Sequence, residues 1–559
     1  MNSEWYKDRV FYQIWPRSFK DGNGDGIGDL YGVYEKLDYL KDLGIGGIWF
    51  SPFYPSPNAD YGYDISDYYD ISPEYGDLEI FKKVLARAHE LDIKVILDLV
   101  INHTSDEHEW FKQSRDPDSP YRDYYFWRRG RKPGKAPNNW SSFFSKGAWS
   151  FDRKTGEHYL HLHHSKQIDL NMDNPKVREE VKSIMRFWLD MGVDGFREDV
   201  ITYISKPVAL PDDTFFNVVK GLRFYDCGPR IHEYLQEFRR DVLDGYDCFT
   251  VGEAPMITPQ KALSLVGGSH PDLNMVFGFR HMEADCFLKE YVPTGFRLRK
   301  LKSAFTQWQN VLNGKAWNAL YLENHDHPRV LSRYGSEKYH RESGKTLAVS
   351  YMLQQGTPFV YQGQELGMTN FALPDISDYK DCVAQKVYSI YHRFVPKRLL
   401  MKLIQRATRD NSRSPVQWSS GPNAGFTTGD PWFYVNQNYT KINAEDEAAD
   451  PDSILNFYKK LIRFRTQSGV VRYGSYRELL PMHPHLYVYE REWQGSVLLV
   501  ICSFSEKACR FRFPAGLEPA GAQPVLSNYH DAPVTEGKGG KRSFFVTRPY
   551  ETRVYAYTK

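Results

Sequence analysis

Gly195-Phe196-Arg197-Glu198-Asp199-Val200 is the stretch on which the reading of this chain turns. It follows a helix signal and reads as a short buried strand with acid and base groups at its exit. Alternation along a strand sends Arg197 and Asp199 to one face and Glu198 to the other. A guanidinium beside a carboxylate favours the charged form. Asp199 is therefore expected to be an ionised, oriented acid of the kind that attacks a sugar carbon. Alone, such a pair is more often a structural salt bridge, so the rest of the chain has to decide.

On both sides of that stretch strand and helix signals alternate. Val10–Trp15, Ile45–Phe50 and Ile93–Leu99 are short apolar runs, the last almost uniformly so, as in a strand covered on both faces. Between them Val33, Leu37 and Leu40, and then Phe81, Val84, Leu85, Ala88 and Leu91, recur at helical spacing, with Gly44 closing the first helix. Pro175–Met191 predicts a helix with Asn174 as its N-cap and Gly192 past its end. Further strands are expected at 193–199, 248–253, 273–279, 317–322 and 357–361. Eight strands separated by helices predict an α/β fold, a closed (β/α)8 TIM barrel with its function at the C-terminal strand ends.

Residues 102–172 interrupt that rhythm. They are rich in Trp, Tyr, Arg, Gly and Pro, and are too long for a loop. They predict a subdomain inserted after strand three. From about Tyr476 short alternating strands, such as Leu486–Tyr489 and Ser496–Ile501, predict a small antiparallel C-terminal domain. The expected division is a barrel over 1–101 and 173–475, the insert over 102–172, and a β-sandwich over 476–559.

Composition narrows the function. A net charge of +2 over 559 residues leaves no basic field for nucleic acid or an anionic membrane. The six cysteines are scattered without a CxxC, which predicts reduced thiols rather than a disulfide framework. There is no apolar signal region at the N-terminus and no membrane-length apolar run. A cytoplasmic protein acting on small molecules is expected, as a monomer or weak homo-oligomer.

The strand ends decide the chemistry. Strand three ends in Asp98-Leu-Val-Ile-Asn-His103, strand four in Arg197 and Asp199, strand five in Gly252-Glu253, and strand seven in Glu323-Asn-His325-Asp326. Four strands thus deliver carboxylates to one rim, an arrangement that pushes pKa values apart and is characteristic of catalytic sites. In order and composition, DLVINH (98–103), GFREDV (195–200), VGE (251–253) and NHD (324–326) resemble the signature segments of the α-amylase family of glycoside hydrolases. QIDLN (167–171) resembles the extra segment, usually QPDLN, of its oligo-1,6-glucosidase subgroup. The likeness runs from about Trp5 through the C-terminal domain.

The resemblance implies Asp199 as nucleophile, Glu253 as acid/base and Asp326 as transition-state stabiliser. A retaining mechanism requires the Asp199 and Glu253 carboxyls about 5–5.5 Å apart. It further implies that His103 and His325 grip glucose hydroxyls, that Tyr63 stacks on the sugar, and that Gln167 and Arg197 belong to the binding site. Asp64, in Asp60-Tyr-Gly-Tyr-Asp64, resembles the acid that clamps the non-reducing end, and Arg413 the arginine that pairs with it. Val200, after the nucleophile, resembles the residue of α-1,6-preferring enzymes. Short α-glucosides such as isomaltose and panose are the implied substrates. An α-1,4-preferring glucosidase, or a transglycosylase or sucrose isomerase, is the alternative on the same scaffold.

Asp21, Asn23, Asp25 and Asp29 fall at positions 1, 3, 5 and 9 of a loop, with Gly26 at 6 and the Ile27 carbonyl at 7, the first part of an EF-hand pattern. The loop predicts one structural Ca2+. Gly32 stands where the pattern's Glu belongs. Four other positions depart from the family: Glu198 for the usual Met, His163 for Phe, Ile168 for Pro, and His327 for Gln. Glu198 points away from the pocket; the other three bear on the aglycone preference rather than on the reaction.

Overall fold

The structure is a computed structural model that describes residues 4–287, 289–512, 524–531, 534–536 and 544–558. The eight barrel strands are β1 Phe11–Ile14, β2 Gly47–Phe50, β3 Lys94–Leu99, β4 Gly195–Glu198, β5 Phe249–Glu253, β6 Met275–Phe277, β7 Ala319–Leu320 and β8 Thr357–Tyr361. Each falls inside the run expected for it. They form one parallel sheet in which β1 pairs with β2 and β8, and β3 with β4. The two ends of that sheet meet where Tyr321 packs edge-on to Phe277 at 5.3 Å and donates its hydroxyl to the Gly278 carbonyl.

Strand alternation separates two cores. Phe11, Trp49, Ile96, Val251, Phe277 and Phe359 point inward and fill the barrel. Tyr12, Ile48, Val95, Leu97 and Phe196 point outward, under the helices. The helices stop where the local chemistry stops them. Asn174 caps Pro175–Asp190 through Lys176 N, and Gly192 continues with φ 106°. Gly44, at φ 93°, ends Leu30–Leu43, a turn that a side chain would strain.

The insert begins and ends as one ribbon: His103–Ser105 pairs antiparallel with Gln167–Asp169. A three-stranded sheet of Trp127–Arg128, Glu157–Leu160 and Trp149–Asp152 lies between. Near the C-terminus, a five-stranded sheet (Ser475–Glu478, Leu486–Trp493, Ser496–Ser503, Thr552–Thr558, Leu526–Ser527) accompanies a three-stranded one (Cys509–Phe511, Phe544–Thr547, Val534–Glu536). Leu486, Val488, Ile501, Phe511 and Phe545 join the two sheets in one core. The first of these strands begins at Ser475, one residue before the expected boundary. All six cysteines are free, and among the described residues no helix is long and apolar enough to cross a membrane.

Candidate active site

One pocket at the C-terminal strand ends gathers Asp199, Glu253 and Asp326. β4 supplies the centre. Gly195 sits at φ 147°, where an added Cβ would lie 1.9 Å from the Phe249 carbonyl, so the strand packs this tightly on β5 only with glycine there. Two residues on, the Arg197 guanidinium forks between carboxylates. Nη1 donates to Asp98 Oδ1 and Asp199 Oδ1 at 2.7 Å each, and Nη2 to Glu253 Oε2 at 2.5 Å. Asp199 and Glu253 are thereby held by the two terminal nitrogens of one planar group.

Three buried acids around one cation cannot all be ionised at neutral pH. Burial raises the Asp199 carboxyl, and Arg197 only partly offsets it. The guanidinium favours the charged form of Asp199, as expected from its position, while desolvation at this fully enclosed site opposes it and is the larger effect. Burial also pushes Glu253 up to about 7, against Arg197. Asp326 goes the other way. Burial would raise it, but His325, Arg409 and Arg413 together hold it well below the usual range. The site thus pairs a carboxyl that carries a proton with one that stays charged, the division of labour that acid catalysis at a sugar demands.

Val200 follows with φ 36° and ψ 40°, a left-handed conformation that costs a β-branched residue about 1–3 kcal/mol. The strained turn aims its amide at Glu253 Oε2, 3.2 Å away, and its side chain into the pocket wall.

Tyr63, His103 and Gln167 also line the pocket, as expected. Four other candidates do not. Asp64 is fully buried and accepts the Ala59 and Asp60 amides at 2.8 and 3.0 Å, bracing its own loop. Arg413 grips the His325 carbonyl at 3.1 Å and Asp326 Oδ1 at 3.0 Å from behind. The expected Asp64–Arg413 pair is therefore replaced, four residues earlier in each segment, by Asp60 and Arg409. Arg197 lies beneath the pocket floor with its Nη atoms occupied by carboxylates. His325 lies behind Asp326, hydrogen-bonded through Nδ1 to Gln13 at 2.8 Å, with its Nε2 3.2 Å from Asp326 Oδ2, and stacked on Tyr63. Both position the acids rather than face the pocket.

Asp60 and Arg409 sat in segments already singled out. Phe143, Phe144, Tyr203, Glu283, Glu290 and Tyr291 complete the walls and carried no motif.

In the loop after β1, Asp21 accepts the Asn23, Gly24 and Gly26 amides, and Asp25 that of Ile27. Asp29 caps the next helix at Gly32, and its oxygens also take the Gly22 and Asn23 amides. Backbone amides thus hold the Asp29 carboxylate at the loop where a metal ligand was expected. Among the described residues, no three His, Cys, Asp or Glu side chains converge on one point suited to a metal.

Residues 13–474 match the model of the alpha amylase catalytic domain. The chain belongs to the α-amylase family. It is a glycoside hydrolase. Across 99% of both chains it is 48% identical to an oligo-1,6-glucosidase of Parageobacillus thermoglucosidasius. Two solved structures share the family architecture over nearly the whole chain. A trehalose-6-phosphate hydrolase of Bacillus licheniformis matches with a TM-score of 0.93 at 43% identity, covering 99% of this chain and 100% of that one. An isomaltulose synthase of Protaminobacter rubrum matches with a TM-score of 0.94 at 38% identity, covering 100% of each.

Proposed function

We propose that this family member is an exo-acting, retaining α-glucosidase that releases glucose from terminal α-1,6 bonds of short oligosaccharides such as isomaltose and panose. The observation that carries the reading is the Arg197 fork, which holds Asp199 and Glu253 side by side in the pocket. Asp199 attacks the anomeric carbon while Glu253 gives its proton to the departing glycosidic oxygen, leaving a covalent glucosyl-enzyme. Glu253, now charged, then takes a proton from the water that displaces Asp199, and glucose leaves with its configuration retained. Asp326, kept ionised, holds sugar hydroxyls most strongly as the ring flattens. Tyr63, His103 and Gln167 form the glycone wall with it, and the Asp60–Arg409 pair closes the pocket behind one glucose.

The aglycone side supports hydrolysis of neutral sugars. Arg409 is the one Lys or Arg among the described lining residues, and it is already paired, whereas the acids Glu283 and Glu290 also line the pocket. Among the described lining residues no unpaired Lys or Arg is left to hold a phosphorylated aglycone. Arg329 and Arg333, after the NHD segment, are buried on Glu323 and Asp285 instead of facing substrate. Val200 shapes the α-1,6 preference by contact. A structural Ca2+ in the 21–29 loop would draw on the Asn23 amide oxygen and the Ile27 carbonyl together with Asp21, Asp25 and Asp29. We also infer a cytoplasmic location, which six free, scattered cysteines favour.

Glucose release from isomaltose, maltose, sucrose and trehalose 6-phosphate, measured in parallel with Asp199→Ala as control, tests the reading. Isomaltose ahead of the others and an inactive variant are expected. Maltose ahead overturns the linkage assignment, isomaltulose from sucrose overturns hydrolysis, and activity surviving in Asp199→Ala overturns the nucleophile.

A further inference from the structure

Neither histidine expected to grip sugar hydroxyls has a nitrogen to spare. His325 has Gln13 at Nδ1 and the Asp326 carboxylate 3.2 Å from Nε2. His103 receives the Asn102 amide at Nδ1, 3.2 Å away, while its Nε2 meets the Tyr63 carbonyl at 3.0 Å and the Gln167 amide at 3.2 Å. A third imidazole stands 5.2 Å from His103, that of His163. It lines the pocket, yet its Nδ1 is buried without a partner, and among the described residues no group bonds its Nε2.

The ring is not loose. Phe143 stacks on it at 5.3 Å and 21°, and Tyr203 lies near-parallel at 6.3 Å. A phenyl ring would fill the same slot without burying an unsatisfied nitrogen, a group that is costly in an enclosed site. Burial, reinforced by the neighbouring His103 and Lys206, holds the imidazole well below the ordinary histidine range, so it is neutral at pH 7. A neutral imidazole has one N–H and one lone pair, which suits an uncharged hydroxyl and not a carboxylate or phosphate.

We propose that His163 is a sugar-binding residue, its Nε2 supplying a hydrogen bond to one hydroxyl of the glucosyl unit. The inference rests on the glucosidase reading above and adds a contact to its glycone wall. His163→Phe keeps the aromatic stack and deletes only that bond. The test compares kcat/KM of wild type and His163→Phe on an aryl α-glucoside and on its 2-, 3-, 4- and 6-deoxy derivatives. The variant is expected to lose about ten-fold on the parent compound, the worth of one hydrogen bond. It should lose nothing on the one derivative that lacks the partner hydroxyl. Its melting temperature should hold or rise, because the orphaned nitrogen is gone. Equal losses on every derivative, or none on any, overturn the inference. If wild type cleaves none of these glucosides, the glucosidase reading falls first and takes this inference with it.

Discussion

Arg409 Nη2 lies 3.3 Å from Asp60 Oδ1 in the pocket wall, while Nη1 of the same guanidinium lies 3.3 Å from Asp326 Oδ1. One planar cation therefore ties the wall to an acid of the triad, and Asp381, at 3.0 Å, fixes it from a third side. A lysine is a point charge on a flexible stem and lacks the fixed planar spread that reaches all three of these carboxylates from separate nitrogens.

Arg409→Lys is accordingly expected to cost about 10–100-fold in kcat/KM on isomaltose, since it leaves buried carboxylates unpaired. It should also admit longer chains past the closed end. Product analysis on a gluco-oligosaccharide checks this: glucose alone from wild type, longer products as well from the variant. An unchanged product pattern with unchanged kcat/KM counts against the wall.

The pH profile follows from the acids. Glu253 must carry its proton, and with its carboxyl at about 7 it loses that proton as pH rises through neutrality. Asp199 must be ionised, and burial lifts it above the ordinary aspartate range, so activity also falls on the acid side. A narrow bell in kcat/KM near neutral pH is expected. Because the two groups share Arg197, its apparent limits belong to the pair. Glu253→Gln should remove the alkaline limb along with most activity on isomaltose, and an alkaline limb that survives this change assigns it elsewhere.

Val200 meets substrate through methyl groups alone. Such packing discriminates by about 1–3 kcal/mol. Val200→Thr should raise the maltose-to-isomaltose ratio of kcat/KM, by about ten-fold, and an unchanged ratio places the linkage preference in other residues.

Glu198 bears on stability rather than on catalysis. It is buried on the outer face of β4, its Oε2 has no partner, and burial, reinforced by Asp272, pushes it to about 8. A carboxyl whose folded pKa is raised binds its proton more tightly in the native state. The stability this contributes is complete below about pH 4.5 and is lost as pH climbs through 8. Glu198→Met, the usual residue of the subgroup, should therefore raise the melting temperature little at pH 5 and clearly at pH 8. A gain independent of pH would mean packing alone is responsible.

Strand runs, helix caps and rim acids depend on neighbours within a few residues, which is why Phe11–Ile14, Asn174, Asp199, Glu253 and Asp326 were all legible in the linear chain. The choice between Asp60 and Asp64, or Arg409 and Arg413, was not. Each alternative is the same residue type four positions away, and only packing shows that Asp64 is absorbed by loop amides and Arg413 by the His325 carbonyl. The same holds for the histidines. The motif marks His103 and His325, but whether a ring nitrogen is free depends on Asn102, Tyr63, Gln13 and Asp326 around it. Sequence alone determined the barrel, the family and the three acids, because those are written in local pattern. Tertiary structure decided which side chains have hydrogen-bonding capacity left for a substrate, because saturation is settled by partners that the chain brings together from far apart.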